Sequence, residues 1–352
     1  MSFLYHNFSH YFNNQSQITR PCFFVAPIPL VWIGYLLPPG NTPVKGVGKS
    51  WSDSDSYNSS GKAKEEDAAN GLSFSWKDAI KKWRGEIDIM SVIHINVPYG
   101  MLLQRIDFAV ENRIHPEIYF SAEDLDVCRD EDVKHLAEIL NQNGLEITFH
   151  GPFMDLSPGG VDRKVKEVTS DRISKTIELA QSFKPKTIVF HPGYEKWKFD
   201  GDVKLWLHSS LETWRPLVKK AEEIGLTLAI ENVFEETPDS LKSLLEEIDS
   251  SHFRFCFDTG HHNVFSKTPL SRWVEVLGEY LCEAHLHDNH KEMDEHLPMG
   301  EGNFDFDQFF FFLLQSQLNP IYTIEPHEEA HLWRGLEALK KYINIECQNP
   351  NS

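Results

Sequence analysis

The chain has 352 residues, 41% of them hydrophobic, which is enough for one large core or two smaller ones. Its formal net charge is −19, and because residues 1–89 contain 9 Lys/Arg and 8 Asp/Glu, the remainder carries −20. Such an acidic surface repels polyanions at long range, which argues against nucleic acid as a partner. The five cysteines are widely spaced without a Cys-x-x-Cys pair. This disfavours a disulfide framework and makes a reducing cytoplasm the expected location.

The first part of the chain differs in character from the rest. Residues 1–89 are interpreted as an irregular N-terminal extension that is largely disordered, or as the product of a misassigned translation start. The apolar run at 22–37 is interrupted by Pro27 and Pro29, so it is too short and too broken for a membrane span. Residues 40–72 are rich in Gly, Ser and Asp, as in a linker. No association with a membrane is expected.

The folded domain is predicted to span residues 90–345, with a C-terminal tail at 346–352. Within it, β-prone runs alternate with stretches whose apolar residues recur at three and four positions, as in amphipathic helices. Gly144 and Gly225 follow two of these stretches and are predicted to cap the helices. The eight predicted strands lie near 92–97, 117–121, 145–149, 186–190, 226–230, 253–257, 282–286 and 321–324. This alternation predicts an α/β fold, a (β/α)₈ TIM barrel, rather than an open sheet.

Six potential metal ligands each lie at the C-terminal end of a β-prone run. They are His150, His191, Glu231, Asp258, His285 and Glu325. Because a TIM barrel carries its active site at the C-terminal ends of its strands, these side chains are expected to converge. Buried carboxylates are costly unless they are paired or bound to metal. The mixed carboxylate and imidazole set favours Mn²⁺ or Zn²⁺ and also admits Co²⁺ or Mg²⁺. For any single residue, a helix cap or a satisfied hydrogen bond in the core is the alternative.

Several segments resemble one family over residues 90–345, namely FHGPFMDLSPG, VFHPGYE, IENVFEETPDSL, FCFDTGHHN, AHLHDNHKEMDEHLPMGEGNFDF and IEP. The resemblance is to the xylose isomerase-like TIM-barrel superfamily. This superfamily contains sugar and sugar-phosphate isomerases and epimerases, together with enzymes of the endonuclease IV type (AP endonuclease family 2). The resemblance implies that a catalytic metal is bound by Glu231, Asp258, His285 and Glu325.

The nuclease branch of this superfamily binds three zinc ions. By resemblance, the additional ligands here are His150, His191, His261, Asp294 and His296. In the isomerase branch, the equivalent of His261 binds substrate instead. These five residues are therefore candidates for either further metal binding or substrate binding.

Three features favour the isomerase side. The segment NVFEETPDSL after Glu231 resembles sugar epimerases and lacks the Gly-rich loop of the nuclease branch. The domain is strongly acidic and has no basic cluster suited to a phosphate backbone. The loop between Asp288 and Asp294 is short, and its only basic residue, Lys291, is a candidate for binding a sugar phosphate. Beyond this loop, Gly300 is predicted to shape a turn, as is Gly302 nearby.

The leading hypothesis is a metal-dependent isomerase or epimerase that acts on a sugar or sugar phosphate through an enediolate. Glu231 and Glu325 are its predicted catalytic residues, because paired carboxylates can move a proton on and off the substrate carbon. The alternatives are an endonuclease IV-like zinc phosphodiesterase and a sugar-binding barrel without catalysis. The oligomeric state is left open, and a homo-oligomer is compatible with the sequence.

Weaker candidates surround this set. Glu117 is expected either to face the barrel mouth or to pair with a lysine from a neighbour. His287 shares a strand face with His285 and is interpreted as supporting a ligand rather than acting as one. Candidates for an apolar wall against a sugar are Phe153, Trp197 and Phe234.

Overall fold

The computed structural model describes residues 92–343. In this part of the chain, eight parallel strands follow one another around a closed barrel, and the last pairs with the first. The strands are β1 (Ile93–Pro98), β2 (His115–Tyr119), β3 (Thr148–His150), β4 (Thr187–Phe190), β5 (Thr227–Glu231), β6 (Phe253–Asp258), β7 (Leu281–Leu286) and β8 (Ile321–Ile324). The predicted (β/α)₈ architecture is confirmed. The predicted extension at 1–89 and tail at 346–352 lie outside the described residues.

Helices connect the strands over the outside of the barrel. They are α1 (Tyr99–Gln104), α2 (Ile106–Glu111), α3 (Ala122–Val127), α4 (Asp130–Gln142), α5 (Arg163–Phe183), α6 (Val203–Glu223), α7 (Asp239–Ile248), α8 (Thr259–Phe265), α9 (Leu270–Leu277), α10 (Phe306–Gln315) and α11 (Glu329–Leu339), with a 3₁₀ turn at Gly278–Tyr280. Within residues 92–343, no helix is long and apolar enough to cross a lipid bilayer.

Aspartates fix the starts of the long helices. The Asp162 side chain accepts hydrogen bonds from two backbone N–H groups at the start of α5, and Asp202 accepts one at the start of α6. At the other end, Gly144 and Gly225 lie just beyond α4 and α6 with φ of +66° and +68°. This confirms both predicted glycine caps, because a left-handed residue that ends a helix favours glycine.

Two strands differ from their predicted bounds by more than one residue. β2 begins at His115, two residues before the predicted 117, and β3 covers Thr148–His150 rather than 145–149. In the longer β2, His115 lies in register with His94 of β1. Before β3, the backbone N–H of Glu146 donates to His115 Nδ1 at 2.8 Å, so a side chain takes the place of a sheet partner.

The apolar core lies between the barrel and its helices, whereas the barrel interior is unusually polar. On the outside, Trp214 of α6 packs against Phe190 and Phe253. Inside, Glu283 is fully buried and accepts hydrogen bonds from the hydroxyls of Thr187 and Thr323. Burial raises the pKa of Glu283 to about 7. The interior of a TIM barrel is usually filled by branched apolar residues. The buried polar side chains here lie directly below the cluster at the barrel mouth, since ligand atoms of Glu283 and His285 are within 4.8 Å of each other.

Candidate metal centre

Glu231, at the end of β5, is the centre of a histidine cluster. Its Oε1 lies 3.2 Å from His285 Nδ1 and 3.3 Å from His261 Nδ1. Its Oε2 lies 3.1 Å from His191 Nε2 and 3.4 Å from His150 Nε2. Burial alone would raise the pKa of Glu231, but the imidazoles of His285, His150 and His191 hold it well below its ordinary value. One carboxylate therefore faces four imidazoles from four different segments.

His285 brings the other predicted ligands to the same point. Besides Glu231, its Nδ1 lies 3.2 Å from Glu325 Oε1 and 3.9 Å from Asp258 Oδ2. His285 and Asp258 are fully buried, and Glu325 is nearly so. Three buried carboxylates around one imidazole nitrogen are costly without further positive charge. The donor set of Glu231, Asp258, His285 and Glu325 has the chemistry of a divalent-cation site, and its role as metal ligands stays a prediction.

On one side of this centre, His150, His191 and Glu231 present ligand atoms that all lie within 4.8 Å of one another. His150 closes β3 and His191 directly follows β4, so both side chains reach the same barrel mouth. The Phe153 ring stacks on the His191 imidazole at 4.3 Å between centroids. This part of the site therefore combines candidate ligands with an aromatic wall.

On the other side lies a second group, formed by His287, Asp294 and His296. Asp294 Oδ2 is 3.0 Å from His296 Nε2 and 3.3 Å from His261 Nε2. The His287 and His296 rings stack at 3.9 Å, and His287 Nε2 is 2.9 Å from Asp258 Oδ2. Burial opposes protonation of His287, but Asp258 and Asp294 raise its pKa to about 9. All five additional candidates, His150, His191, His261, Asp294 and His296, thus lie in one continuous cluster.

Asp288 holds the loop that carries Asp294 and His296, and the sequence did not single it out. Its Oδ2 accepts from the backbone N–H groups of Gly300 and Gly302 at 2.9 and 3.0 Å, and its Oδ1 accepts from those of Asn289 at 2.9 Å and Phe304 at 3.0 Å. A Cβ on Gly302 would lie 2.3 Å from the Asn289 carbonyl oxygen, so only glycine fits there. Gly300 has φ +82°, which fits its predicted place in a turn. Asp288 binds backbone N–H groups 12 to 16 residues further along the chain, so the residues around it did not indicate this role.

His327 was also missed. Its ring stacks on the His296 ring at 3.8 Å between centroids, and His296 also stacks on His287. The three imidazoles therefore form a stack in the order His287, His296, His327. Burial and the neighbouring imidazoles lower the pKa of His327 to about 3. Its position two residues after Glu325 was the available signal, because the segment following a strand end forms the barrel mouth.

The remaining candidates lie at different distances from the cluster. Lys291 is exposed in the loop and lies near His262. Burial and the positive charge of Lys291 lower the pKa of His262 to about 4. Trp197 is 90% exposed, and Phe234 packs edge-on against Phe265. Of the three predicted wall aromatics, Phe153 is the one that stacks directly on a cluster imidazole. The substrate-binding role of Lys291 stays a prediction.

The fold agrees with comparisons to known proteins. The sequence model of the family described as xylose isomerase-like TIM barrel matches residues 116–342, and the chain belongs to this family. An uncharacterized protein of Methanocaldococcus jannaschii, MJ1311, is 31% identical over 223 residues, covering 61% of this chain and 75% of its own length. The predicted family membership is therefore confirmed.

Solved structures of similar fold include sugar epimerases. A D-tagatose 3-epimerase-like protein is 27% identical with a TM-score of 0.62, covering 71% of this chain and 96% of its own. D-psicose 3-epimerase from Clostridium cellulolyticum H10, solved with D-tagatose, is 16% identical with a TM-score of 0.60, covering 72% of this chain and all of its own. At 16% identity, the second likeness concerns the fold alone.

Proposed function

We propose that this protein is a divalent-metal-dependent sugar epimerase or isomerase. One observation carries the proposal: His285 Nδ1 faces Glu231, Asp258 and Glu325 at the ends of their strands, in a barrel similar to a D-tagatose 3-epimerase-like protein. A carboxylate-rich set with one imidazole suits Mn²⁺ or Zn²⁺, and also Co²⁺ or Mg²⁺. When bound there, such a cation supplies Lewis-acid chemistry, polarising a substrate carbonyl and its neighbouring hydroxyl.

In this proposal, Glu231 and Glu325 move the proton. Each has an oxygen 3.2 Å from the same His285 nitrogen, so the two carboxylates approach one point from β5 and from the end of β8. A substrate carbon held between them can lose a proton to one carboxylate and regain it from the other. Removal on one face and return to the same carbon on the other face inverts that carbon through an enediolate, whereas delivery of the proton to the neighbouring carbon of the enediolate gives isomerisation.

The charges around the barrel mouth favour an uncharged sugar over a sugar phosphate. Lys196 and Lys267 both pair with Glu236, and the Lys198 ammonium donates to the Ser157 hydroxyl at 3.1 Å. These cations are already engaged by the protein, so a phosphate would have to compete with existing partners. Among the basic residues of these loops, Lys291 remains the candidate for a phosphate, and a panel of substrates should include both classes.

The test measures solvent-deuterium incorporation next to the substrate carbonyl. Metal-stripped protein is reloaded with Mn²⁺, Zn²⁺, Co²⁺ or Mg²⁺ and incubated in D₂O with free ketohexoses and their phosphates. We expect metal-dependent incorporation that Glu325→Gln abolishes, while Glu328→Gln, an exposed glutamate three residues away, retains it. Incorporation that persists in Glu325→Gln would refute the assigned role.

The second group of ligands favours one alternative, an endonuclease IV-like phosphodiesterase. His287, Asp294 and His296 lie together, as do His150, His191 and Glu231, so the cluster has donors for more than one cation. About three tightly bound zinc ions per chain, with cleavage of an abasic-site duplex, would support that activity. Sugar binding without turnover by any metal would instead support a non-catalytic barrel.

A further inference from the structure

A buried carboxylate lies directly beneath the candidate metal centre. Glu117 Oε1 is 3.1 Å from His285 Nε2, and both side chains are fully buried. The two residues belong to β2 and β7, which are not neighbouring strands, so the contact crosses the barrel interior. One of the two alternatives predicted for Glu117 was an ion pair with a lysine, but in the structure its partner is His285.

Glu117 is also connected to a second candidate ligand. The Asn96 side-chain amide donates to Glu117 Oε2 at 2.7 Å and approaches Glu325 Oε1 at 3.5 Å. Asn96 and Glu117 face each other in the register of β1 and β2. One buried carboxylate thus contacts His285 directly and reaches Glu325 through an amide.

We propose that Glu117 is a positioning residue that fixes the orientation and tautomer of His285. A neutral imidazole carries its proton on one nitrogen only, and the hydrogen bond at that nitrogen selects which one. With Glu117 accepting from Nε2–H, the lone pair of Nδ1 points towards Glu231, Asp258 and Glu325, where the cation is to be held. This inference rests on the proposed metal-dependent function.

The energetic cost of Glu117 supports a specific role. A fully buried carboxylate costs several kcal/mol unless hydrogen bonds compensate it, and a branched apolar side chain would fill a barrel interior without that cost. Glu283 provides an internal comparison, because it is equally buried but its oxygens are engaged by the Thr187 and Thr323 hydroxyls. Its hydrogen bonds run between strands, and although one of its oxygens lies within 4.8 Å of ligand atoms of Glu117 and His285, no hydrogen bond joins it to that imidazole.

The variant Glu117→Gln tests the inference, with Glu123→Gln, at an exposed glutamate of α3, as the control. In Glu117→Gln one oxygen becomes an amide donor, so the side chain can no longer accept from both His285 and Asn96. We expect the affinity for Zn²⁺ or Mn²⁺, measured by calorimetry, to fall roughly 10- to 100-fold, as for lost hydrogen-bond support of a metal ligand. In Glu123→Gln the affinity should stay within about threefold of the wild-type value.

A second readout observes the tautomer directly. In ¹⁵N-histidine NMR of the Zn²⁺-loaded wild-type protein, the His285 signal, assigned by its loss in His285→Gln, should show a hydrogen-bonded Nε2–H and an unprotonated Nδ1. An Nε2 without a proton would overturn the inference even if Glu117→Gln did not fold. Equal affinities of Glu117→Gln and the wild type would overturn it as well. If the wild-type protein bound no divalent cation, the proposed function itself would fail, which is a distinct result.

Discussion

The buried histidine His94 should make the protein sensitive to acid. It lies in β1 with 1% exposure, and neither ring nitrogen has a hydrogen-bond partner among residues 92–343. Burial, with a smaller contribution from His115, lowers the pKa of His94 to about 3. In the unfolded chain it takes up a proton near pH 6.5. The unfolded state therefore binds more protons between pH 6.5 and 3, and stability must fall as the pH falls through that window.

The magnitude follows from the two pKa values. Between pH 7 and pH 5, His94 alone should remove about 2 kcal/mol from the free energy of unfolding, approaching about 5 kcal/mol at the acid limit. Replacing it in His94→Leu breaks no hydrogen bond within the described structure and removes the titrating group. His208→Leu, at a side chain that is 80% exposed, is the control.

The assay is denaturant unfolding of the metal-free wild-type protein and both variants at pH 7 and pH 5. The stability of His94→Leu relative to wild type should rise by about 2 kcal/mol between these pH values, and by more than that of His208→Leu. The other titrating groups cancel in this difference. If wild type and His94→Leu lost the same stability on acidification, the account of His94 as a buried neutral group would be wrong.

Two further predictions concern the residues that shape the cluster. A Cβ at Gly260 would lie 2.0 Å from His287 Cε1, so Gly260→Ala should displace that ring and lower cation affinity about 10-fold. Gly100→Ala, where the nearest atom is 3.9 Å away, should not, and equal affinities of the two variants in a metal titration would contradict this. Asp288→Asn turns an amide N–H₂ towards backbone donors, including that of Gly302. It should therefore lower the free energy of unfolding by about 1–3 kcal/mol and increase hydrogen exchange in the following loop. An unchanged unfolding curve would contradict that role.

Local sequence patterns predicted which residues lie at the C-terminal ends of the strands. Glu231, Asp258 and His285 were identifiable because each ends or closes a β-prone run, and parallel strands in a barrel bring such ends together. The same reasoning placed His150 and His191 at the mouth, where the structure has them. This information is contained in the order of strands and helices.

Pairings between distant strands could not be predicted in this way. Glu117 and His285 are 168 residues apart, and nothing in either segment specifies the other as its partner. The interpretation of His287 as a support depended on strand alternation, but alternation does not determine a ring's contacts. The structure shows this ring against Asp258 and stacked on His296. Such contacts depend on the barrel's closure and on loop paths, which a single sequence does not give.

Metal binding by the purified chain tests the central claim most directly. Metal-stripped wild-type protein, Asp258→Asn and Asp239→Asn, an exposed aspartate at the start of α7, are titrated with Mn²⁺ and Zn²⁺ by calorimetry. We predict saturable binding of at least one cation per wild-type chain, unchanged in Asp239→Asn and weakened at least about 10-fold in Asp258→Asn. An absence of binding by the wild type, or full affinity in Asp258→Asn, would contradict the assignment of the strand-end residues as a metal centre.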